Sequence, residues 1–219
     1  MSTMGRPRLH DDRTRAALLE AAERIVETEG SEFLSVRGVA DSAGTTARAV
    51  YTVFGSKDGL LIALGERAFE LLGEAVDALP VTDDPATDLV TAGAVGFRNF
   101  VLRHPTLFQV GVQRTALPPH VTAGFSGAAT SALRSLQDRV ARLEADGALG
   151  NRSVAEATWE YHALCEGLAA LELRHANEQA GMLWTDALRA LVAGWNLCQN
   201  ATDTQSSLRS GNRRQSPCG

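Results

Sequence analysis

Apolar side chains recur at every third or fourth position along most of the chain, which is the period of an amphipathic α-helix. In the first such segment the apolar positions are Leu18, Ala21, Ala22 and Ile25, and Gly30 ends the pattern. The same pattern predicts helices over residues 14–29, 36–43, 46–54, 57–79, 86–103, 105–114, 122–146, 153–176 and 181–198. No segment shows the apolar and polar alternation of a half-buried strand. We therefore expect an all-α fold.

The composition supports this interpretation. The 219 residues include 34 Ala and 27 Leu against 16 Val and 2 Ile, and this balance favours helices over sheets. No apolar run approaches the length of about 20 residues that a membrane helix needs, and the first residues hold no signal-peptide core. We expect a soluble cytoplasmic protein with no membrane partner. Three cysteines far apart, Cys165, Cys198 and Cys218, make neither a disulfide framework nor a zinc ligand set.

Two short helices follow the first long one and are joined by Ala43, Gly44 and Thr45. Ser35 and Ser56 stand as N-caps before the second and fourth helices. This arrangement predicts a helix-turn-helix, whose second helix enters the major groove of DNA. With Val50, Val53 and Phe54 inward, the solvent side of that helix carries Thr46, Arg48, Tyr51 and Thr52.

The run from Ser35 to Leu61, with ordered Ala-Gly, Tyr-x-x-Phe and Ser-Lys-x-x-Leu spacing, resembles the DNA-binding domain of the TetR family of bacterial transcriptional regulators. The resemblance covers residues 12–72. It implies that phosphates are held at Ser35, Tyr51 and Lys57, and that base edges are read at Thr46, Arg48 and Thr52. The candidate DNA-binding residues are Ser35, Arg37, Thr45, Thr46, Arg48, Tyr51, Thr52 and Lys57. The chain departs from the family pattern at Thr45, Val53 and Gly55.

The resemblance implies that residues 73–200 form a helical ligand-binding and dimerisation domain. Residues 104–108 and 161–171 are similar to a common effector domain with a Trp-His-Gly-like stretch, although Glu166 separates Cys165 from Gly167. Residues 1–11 are expected to be a flexible basic arm, and residues 201–219, rich in Ser, Asn, Gln and Arg, a disordered tail. Candidates for contact with a small-molecule effector are Phe97, Phe100, His104, Phe108, Trp159 and His162.

Periodicity gives a separate reason to expect a homodimer. The last two long helices are apolar on more than one face, which indicates burial on more than one side. Two such helices per subunit would form a four-helix bundle across a two-fold axis, and recognition helices roughly 34–36 Å apart would read a palindrome. The candidate interface residues are Leu164, Leu168, Leu171, Trp184, Leu188, Leu191 and Trp195.

The sequence gives less support to functions other than DNA binding. The sequence has no HExxH, GxSxG or phosphate-loop motif, so we expect no enzyme, metal or cofactor. Glu66, Glu70 and Glu74 share a helix face that is more typical of solvent than of a metal, and Cys165 is a buried apolar residue rather than a redox sensor.

The net charge of -5 includes eight basic and nine acidic residues in positions 1–60, so any DNA contact must use few, well-placed residues. We expect a repressor that a small molecule releases from a palindromic operator by linkage. An activator of the same type, a helical enzyme with an unrecognised site and a helical protein-interaction module stay open as alternatives.

Overall fold

The computed structural model describes residues 8–113, 117–175 and 179–211, with side chains for 12–113, 117–175 and 179–195. These residues form α-helices, one 3-10 turn and two π-helical segments, with no strand among them, so the predicted all-α fold is confirmed. The α-helices are α1 (Arg8–Glu29), α2 (Val36–Ser42), α3 (Ala47–Phe54), α4 (Lys57–Asp77), α5 (Pro85–Thr91), α6 (Arg98–Arg103), α7 (Pro105–Leu107), α8 (Pro119–Gly124), α9 (Ser126–Ala145), α10 (Val154–Arg174) and α11 (Ala180–Gly211). In the described residues, no helix is both long and apolar enough to cross a membrane.

The chain divides into two compact units. The first consists of Met1–Ala75 and Asn99–Ala132, and the second of Val76–Arg98 and Leu133–Gly219. The first boundary lies close to the one expected after residue 72. Residues 99–132, which the sequence analysis assigned to the ligand-binding domain, lie in the first unit in the structure.

The turn between α2 and α3 follows from its glycine. Gly44 has a φ of 66°, a left-handed conformation that costs glycine little. Its N–H donates to the carbonyl of Asp41 at 3.2 Å, and the N–H of Thr45 donates to the carbonyl of Ala40 at 2.9 Å. These two bonds form a Schellman motif, which satisfies the last carbonyls of α2 and reverses the chain into α3.

Residues 99–132 are held in the first unit by contacts to α1 and α4. The carboxylate of Glu27 on α1 accepts hydrogen bonds from the backbone N–H groups of Thr106 and Leu107, both at 3.1 Å. Phe125 packs so closely on α4 that a Cβ at Gly65 would lie 2.4 Å from its ring. This contact depends on a glycine in the middle of a helix, which the periodicity of apolar positions does not reveal.

In the second unit, two tryptophan–glutamate–arginine groups fix α10 against α11. Glu172 accepts from the indole N–H of Trp184 at 2.8 Å and from Nη2 of Arg98 at 2.7 Å. Twelve residues earlier, Glu160 accepts from the indole N–H of Trp195 at 2.7 Å and from Nε of Arg152 at 2.9 Å. Each carboxylate therefore satisfies a buried indole and balances a cation at the same time.

Several predicted helices have different bounds. The predicted helix 86–103 contains a π-helical segment, Ala92–Phe97, and the predicted helix 105–114 continues from α7 into a second one, Phe108–Val112. The hydroxyl of Tyr161 donates to the carbonyl of Leu89 at 2.8 Å, just before the first segment. A side chain that competes for a helical carbonyl is one cause of such local widening.

The predicted helix 122–146 begins later, at Ser126, because Phe125 ends α8. The last helix continues through residues 201–211, part of the segment expected to be disordered. No proline occurs between the start of α11 and Pro217, so none interrupts the helix in that stretch. At the other end, α1 begins at Arg8, inside the expected flexible arm. Residues 1–7 of that arm and 212–219 of the tail lie outside the described residues, as do the side chains of Cys198 and Cys218.

Candidate nucleic-acid interface

Three successive helices around the turn begin with a hydroxyl side chain as N-cap. Each hydroxyl oxygen accepts a hydrogen bond from the backbone N–H three residues later: Ser35 from Gly38 at 3.1 Å, Thr46 from Ala49 at 3.3 Å, and Ser56 from Gly59 at 3.0 Å. Such caps stabilise a short helix by about 1 kcal/mol each. Each O–H still has its own proton to donate to an acceptor outside the chain.

Seven of the eight candidate DNA-binding residues are exposed: Ser35, Arg37, Thr46, Arg48, Tyr51, Thr52 and Lys57. Thr45, in the turn, is partly buried. Tyr51 leaves 53% of its surface in solvent, although buried Val50 is its neighbour on α3. The hydroxyl of Thr52 donates to the carbonyl of Arg48 at 2.9 Å, so its oxygen is left to act as an acceptor.

The cations of this surface are unpaired. Arg37, Arg48 and Lys57 form no ion pair with any residue that the structure describes. By contrast, Arg67 on α4 lies within 3.4 Å of three glutamates, Glu23, Glu70 and Glu74. The charge of Arg37, Arg48 and Lys57 is therefore free to meet an anion outside the chain.

The junction of α3 and α4 depends on two glycines. Gly55 ends α3 with a φ of 76°. Gly59 lies so close to the end of α3 that a Cβ there would be 1.9 Å from the carbonyl oxygen of Phe54. Gly59 was not among the residues predicted from the sequence, although a glycine inside the first turns of a long helix is unfavourable enough to be a signal.

Two further side chains near this surface were not predicted. The guanidinium of Arg15 lies over the ring of Phe54, 5.4 Å from its centroid, and pairs with Glu66 at 3.6 Å. Next to Lys57, Asp58 contacts Nε2 of His120 on α8 at 2.8 Å. Both contacts join residues far apart in sequence, so no local pattern marks them.

Comparison with known proteins agrees with this geometry. Residues 18–64 match the model of the bacterial regulatory proteins of the tetR family. The HTH-type transcriptional regulator EthR of Mycolicibacterium smegmatis is 31% identical over 133 residues. The helix-turn-helix part of the chain, residues 18–64, is therefore similar to the TetR family. The match to EthR spans 56% of this chain and 59% of the relative, a little over half of each.

Solved structures share the TetR fold over most of the chain. The TetR family regulator PfmR of Thermus thermophilus has a TM-score of 0.62 at 19% identity, covering 80% of this chain and 96% of its own. The multidrug binding protein EbrR, complexed with imidazole, has a TM-score of 0.63 at 22% identity, covering 87% and 94%. At these identities the likeness shows the fold alone.

The six effector-pocket candidates are divided between the two units of the chain. Phe100, His104 and Phe108 lie in the first unit, where the Phe100 and His104 rings are 6.0 Å apart. In the second unit, His162 has its ring 6.4 Å from Phe97 and 6.1 Å from Trp159. The phenylalanines are buried, whereas Trp159 is 61% exposed. His162 also lies 2.7 Å from the carboxylate of Glu166.

The candidate interface residues need a correction. Trp184, Leu188 and Trp195 are buried inside the chain, so a second subunit cannot cover them. The two indole N–H groups bind the glutamates of α10, and Leu188 lies against the π-helical segment, where a Cβ at Gly93 would meet it at 2.6 Å. Leu171 is exposed, and Leu164, Leu168 and Leu191 are partly buried.

The structure also shows the surroundings of the glutamates of α4 and of Cys165. Glu70 and Glu74 pair with Arg67, and no group of metal-binding side chains occurs in the described part of the chain. Burial raises the pKa of Cys165 to about 12, so the thiol stays protonated and unreactive near neutral pH.

Proposed function

We propose that the protein is a DNA-binding transcriptional regulator that reads its operator with α3. The observation that carries this proposal is the unpaired charge on an exposed helix-turn-helix: Arg37, Arg48 and Lys57 have no anionic partner among the described residues. Ser35, Tyr51 and Lys57 would bind phosphates. The first residue of α4, Lys57, also brings the free N–H groups of a long helix to that position.

The base contacts are assigned to α3. Arg48 is exposed and unpaired, and its guanidinium can donate two parallel hydrogen bonds to the O6 and N7 of guanine. Thr46 has a free hydroxyl proton beyond its cap, whereas Thr52 offers an acceptor. These differences predict that Arg48 contributes most of the sequence preference.

We propose that the protein acts as a homodimer through α10 and α11. Four large apolar residues of these helices are exposed in the single chain: Trp159 at 61%, Leu171 at 53%, Met182 at 63% and Leu183 at 50%. Exposed large apolar side chains are common at protein interfaces. A second copy covering them would give a two-fold assembly and a palindromic operator.

A small-molecule effector would release a repressor of this kind in the bacterial cytoplasm. The aromatic group of Phe97, Trp159 and His162 is a candidate part of its site. The structural neighbour EbrR is a multidrug binding protein complexed with imidazole, which supports ligand binding in this fold. By linkage, the ligand must lower DNA affinity by the same factor by which DNA lowers ligand affinity.

DNA binding is tested by fluorescence anisotropy with the DNA upstream of the protein's own gene and a scrambled duplex of the same length. We expect the upstream DNA to bind more tightly, and both affinities to fall steeply with salt. Equal binding of the two duplexes would contradict the proposal. Tyr51→Ala should weaken DNA binding, and any enzymatic turnover that survives this change would favour the enzyme alternative.

The dimer is tested by Leu171→Glu together with Leu183→Glu, measured by light scattering. We expect folded monomers, because both side chains are exposed in the single chain. The matched control is Leu188→Glu, which should unfold the protein because Leu188 is fully buried. A double variant that stays dimeric would place the interface elsewhere.

A further inference from the structure

Two arginines lie one turn apart on α9: Arg139 contacts the last turn of α4, and Arg142 contacts the segment that follows α4. Arg142 donates to Oδ2 of Asp88 at 2.7 Å and to the carbonyl of Thr82. Asp88 is almost completely buried and also accepts from the backbone N–H and the hydroxyl of Thr82, both at 2.8 Å. The charge of Arg142 is thus balanced inside the chain by a carboxylate placed for it.

Arg139 has no equivalent partner. Its Nη2 donates to the carbonyl of Val76 at 3.1 Å. Among the described residues, the carboxylate within 4 Å is that of Asp77, at 3.9 Å and with 71% of its side chain exposed. The side chain of Arg139 is only 13% exposed, and its Nη1 is buried with no hydrogen-bond partner in the described structure.

This arrangement is unfavourable for the chain on its own. Buried charges in proteins are normally paired, and a buried N–H without an acceptor loses the hydrogen bonds that water would give. Most buried polar groups in native structures have a partner, so each exception needs an explanation. By contrast, both terminal nitrogens of Arg142 on the same helix have an acceptor, Asp88 for one and the Thr82 carbonyl for the other.

The surroundings of Arg139 combine one polar side chain with apolar ones. Tyr161 lies within electrostatic range of the guanidinium, and its hydroxyl proton is already used by the carbonyl of Leu89 at 2.8 Å. On α9 itself, the next residue, Val140, and Leu143 are buried. An anion attached to an apolar body suits these surroundings, and the planar guanidinium fits the two oxygens of a carboxylate.

We propose that Arg139 binds the carboxylate of a small apolar organic acid in the second unit. The part of this inference that makes the acid the effector rests on the function proposed above. Val76, whose carbonyl orients Arg139, is one residue from the end of α4 at Asp77.

The test compares acids with neutral amides of the same shape. Isothermal titration of the full chain, without DNA, uses octanoate, hexadecanoate, benzoate and phenylacetate, each against its primary amide. We expect at least one acid to bind about tenfold or more tightly than its amide, as for a hydrogen-bonded charge. Equal affinity within every pair, or no binding by any acid, would overturn the proposal.

Substitutions on α9 test whether the preference for the acid over its amide depends on Arg139. Arg139→Met should remove the preference for the acid, whereas Arg134→Met, at an exposed arginine of the same helix, should keep it. If Arg139→Met fails to fold, Arg139→Gln keeps a donor for the Val76 carbonyl without the charge and serves in its place. A preference that survives the loss of the Arg139 charge would assign the acid to another site.

A separate measurement distinguishes this inference from the proposed function. The acid that binds is added to the complex with upstream DNA, and anisotropy follows the release of the DNA. Release supports the effector role, and binding without release overturns that role while the Arg139 site stands. Absence of any specific DNA binding would instead overturn the proposed function, because the titration of the acid needs no DNA.

Discussion

The helix-turn-helix and the α10–α11 pair use arginine in opposite ways. On the first, Arg37 and Arg48 are exposed and have no anionic partner in the described structure. In the second unit, Arg98 and Arg152 each donate to a glutamate that also accepts an indole N–H. Charge that is left free can bind an anion outside the chain, whereas charge that is paired inside fixes the position of helices.

The energetic consequences of losing a charge therefore differ between the two regions. An exposed, unpaired cation contributes little to folding, so its loss should be visible only when DNA is present. Removing one member of a buried group leaves the others without a partner and destabilises the fold. Substitutions in each region should therefore separate effects on DNA binding from effects on stability.

The largest effect is expected from Glu172→Ala. The change leaves the Trp184 indole and the Arg98 guanidinium unpaired, and we expect a loss of about 3 kcal/mol in the free energy of unfolding by urea. Glu172→Gln keeps an acceptor for the indole and should lose less. A loss below that of typical surface changes would mean that these contacts do not hold α10 on α11.

A second prediction uses two glycines of α4. Gly59→Ala should cost about 2 kcal/mol, because the added Cβ meets the carbonyl of Phe54, and should also weaken DNA binding. Gly73→Ala is the matched control: nothing lies within 4 Å of its Cβ, so stability should rise by about 0.5–1 kcal/mol. Urea unfolding of both variants gives the comparison. Equal free energies of unfolding for Gly59→Ala and Gly73→Ala would contradict the close approach of α3 to α4.

For Arg48→Ala, the expected effect is on sequence preference. We expect a loss of about 1–3 kcal/mol of discrimination at one or two base pairs, measured by anisotropy on single-substitution operators. The free energy of unfolding should stay the same. An unchanged profile across the operators would assign the base contacts to other residues.

Lys57→Ala should weaken operator and random DNA alike, by about tenfold, because a phosphate contact carries no sequence information. The slope of log affinity against log salt should decrease by about 0.9. If operator binding alone falls, Lys57 contacts a base and not a phosphate.

The smallest effect concerns pH. Burial acts to raise the pKa of Asp88, but its hydrogen bonds with Arg142 and Thr82 outweigh it and hold the pKa below the usual range. The ionised carboxylate therefore contributes stability fully above the unfolded-state pKa of about 4, and this contribution is lost as the pH falls through the folded-state pKa. The stability difference between wild type and Asp88→Asn should narrow over that range. A constant difference down to about pH 3, below the usual Asp pKa, would contradict the pairing with Arg142.

The helix-turn-helix was predictable because its signals are local. Gly44, the Ser35 cap and the inward Val50 lie within a few residues of the structure that they determine. The same residues carry the family resemblance, so the fold and the candidate DNA-binding residues followed from the sequence.

The second unit was less predictable because its contacts are distant in sequence. Periodicity identified Trp184, Leu188 and Trp195 as an apolar stripe, but it does not tell which neighbour covers the stripe. Their covering partners, such as Glu160 and Gly93, are tens of residues away. Arg139 could not be found from sequence, because its distinguishing property is an acceptor that its neighbours do not provide.

The central claim, that the unpaired helix-turn-helix surface binds a specific DNA site, is tested most directly by footprinting. Purified protein is titrated on a fragment spanning the DNA upstream of its own gene, with excess random DNA as competitor. The account predicts a protected inverted repeat whose half-site centres are about one helical turn or a multiple apart, and loss of protection with Arg48→Ala. Uniform cleavage of the whole fragment at protein concentrations that saturate random DNA would contradict it.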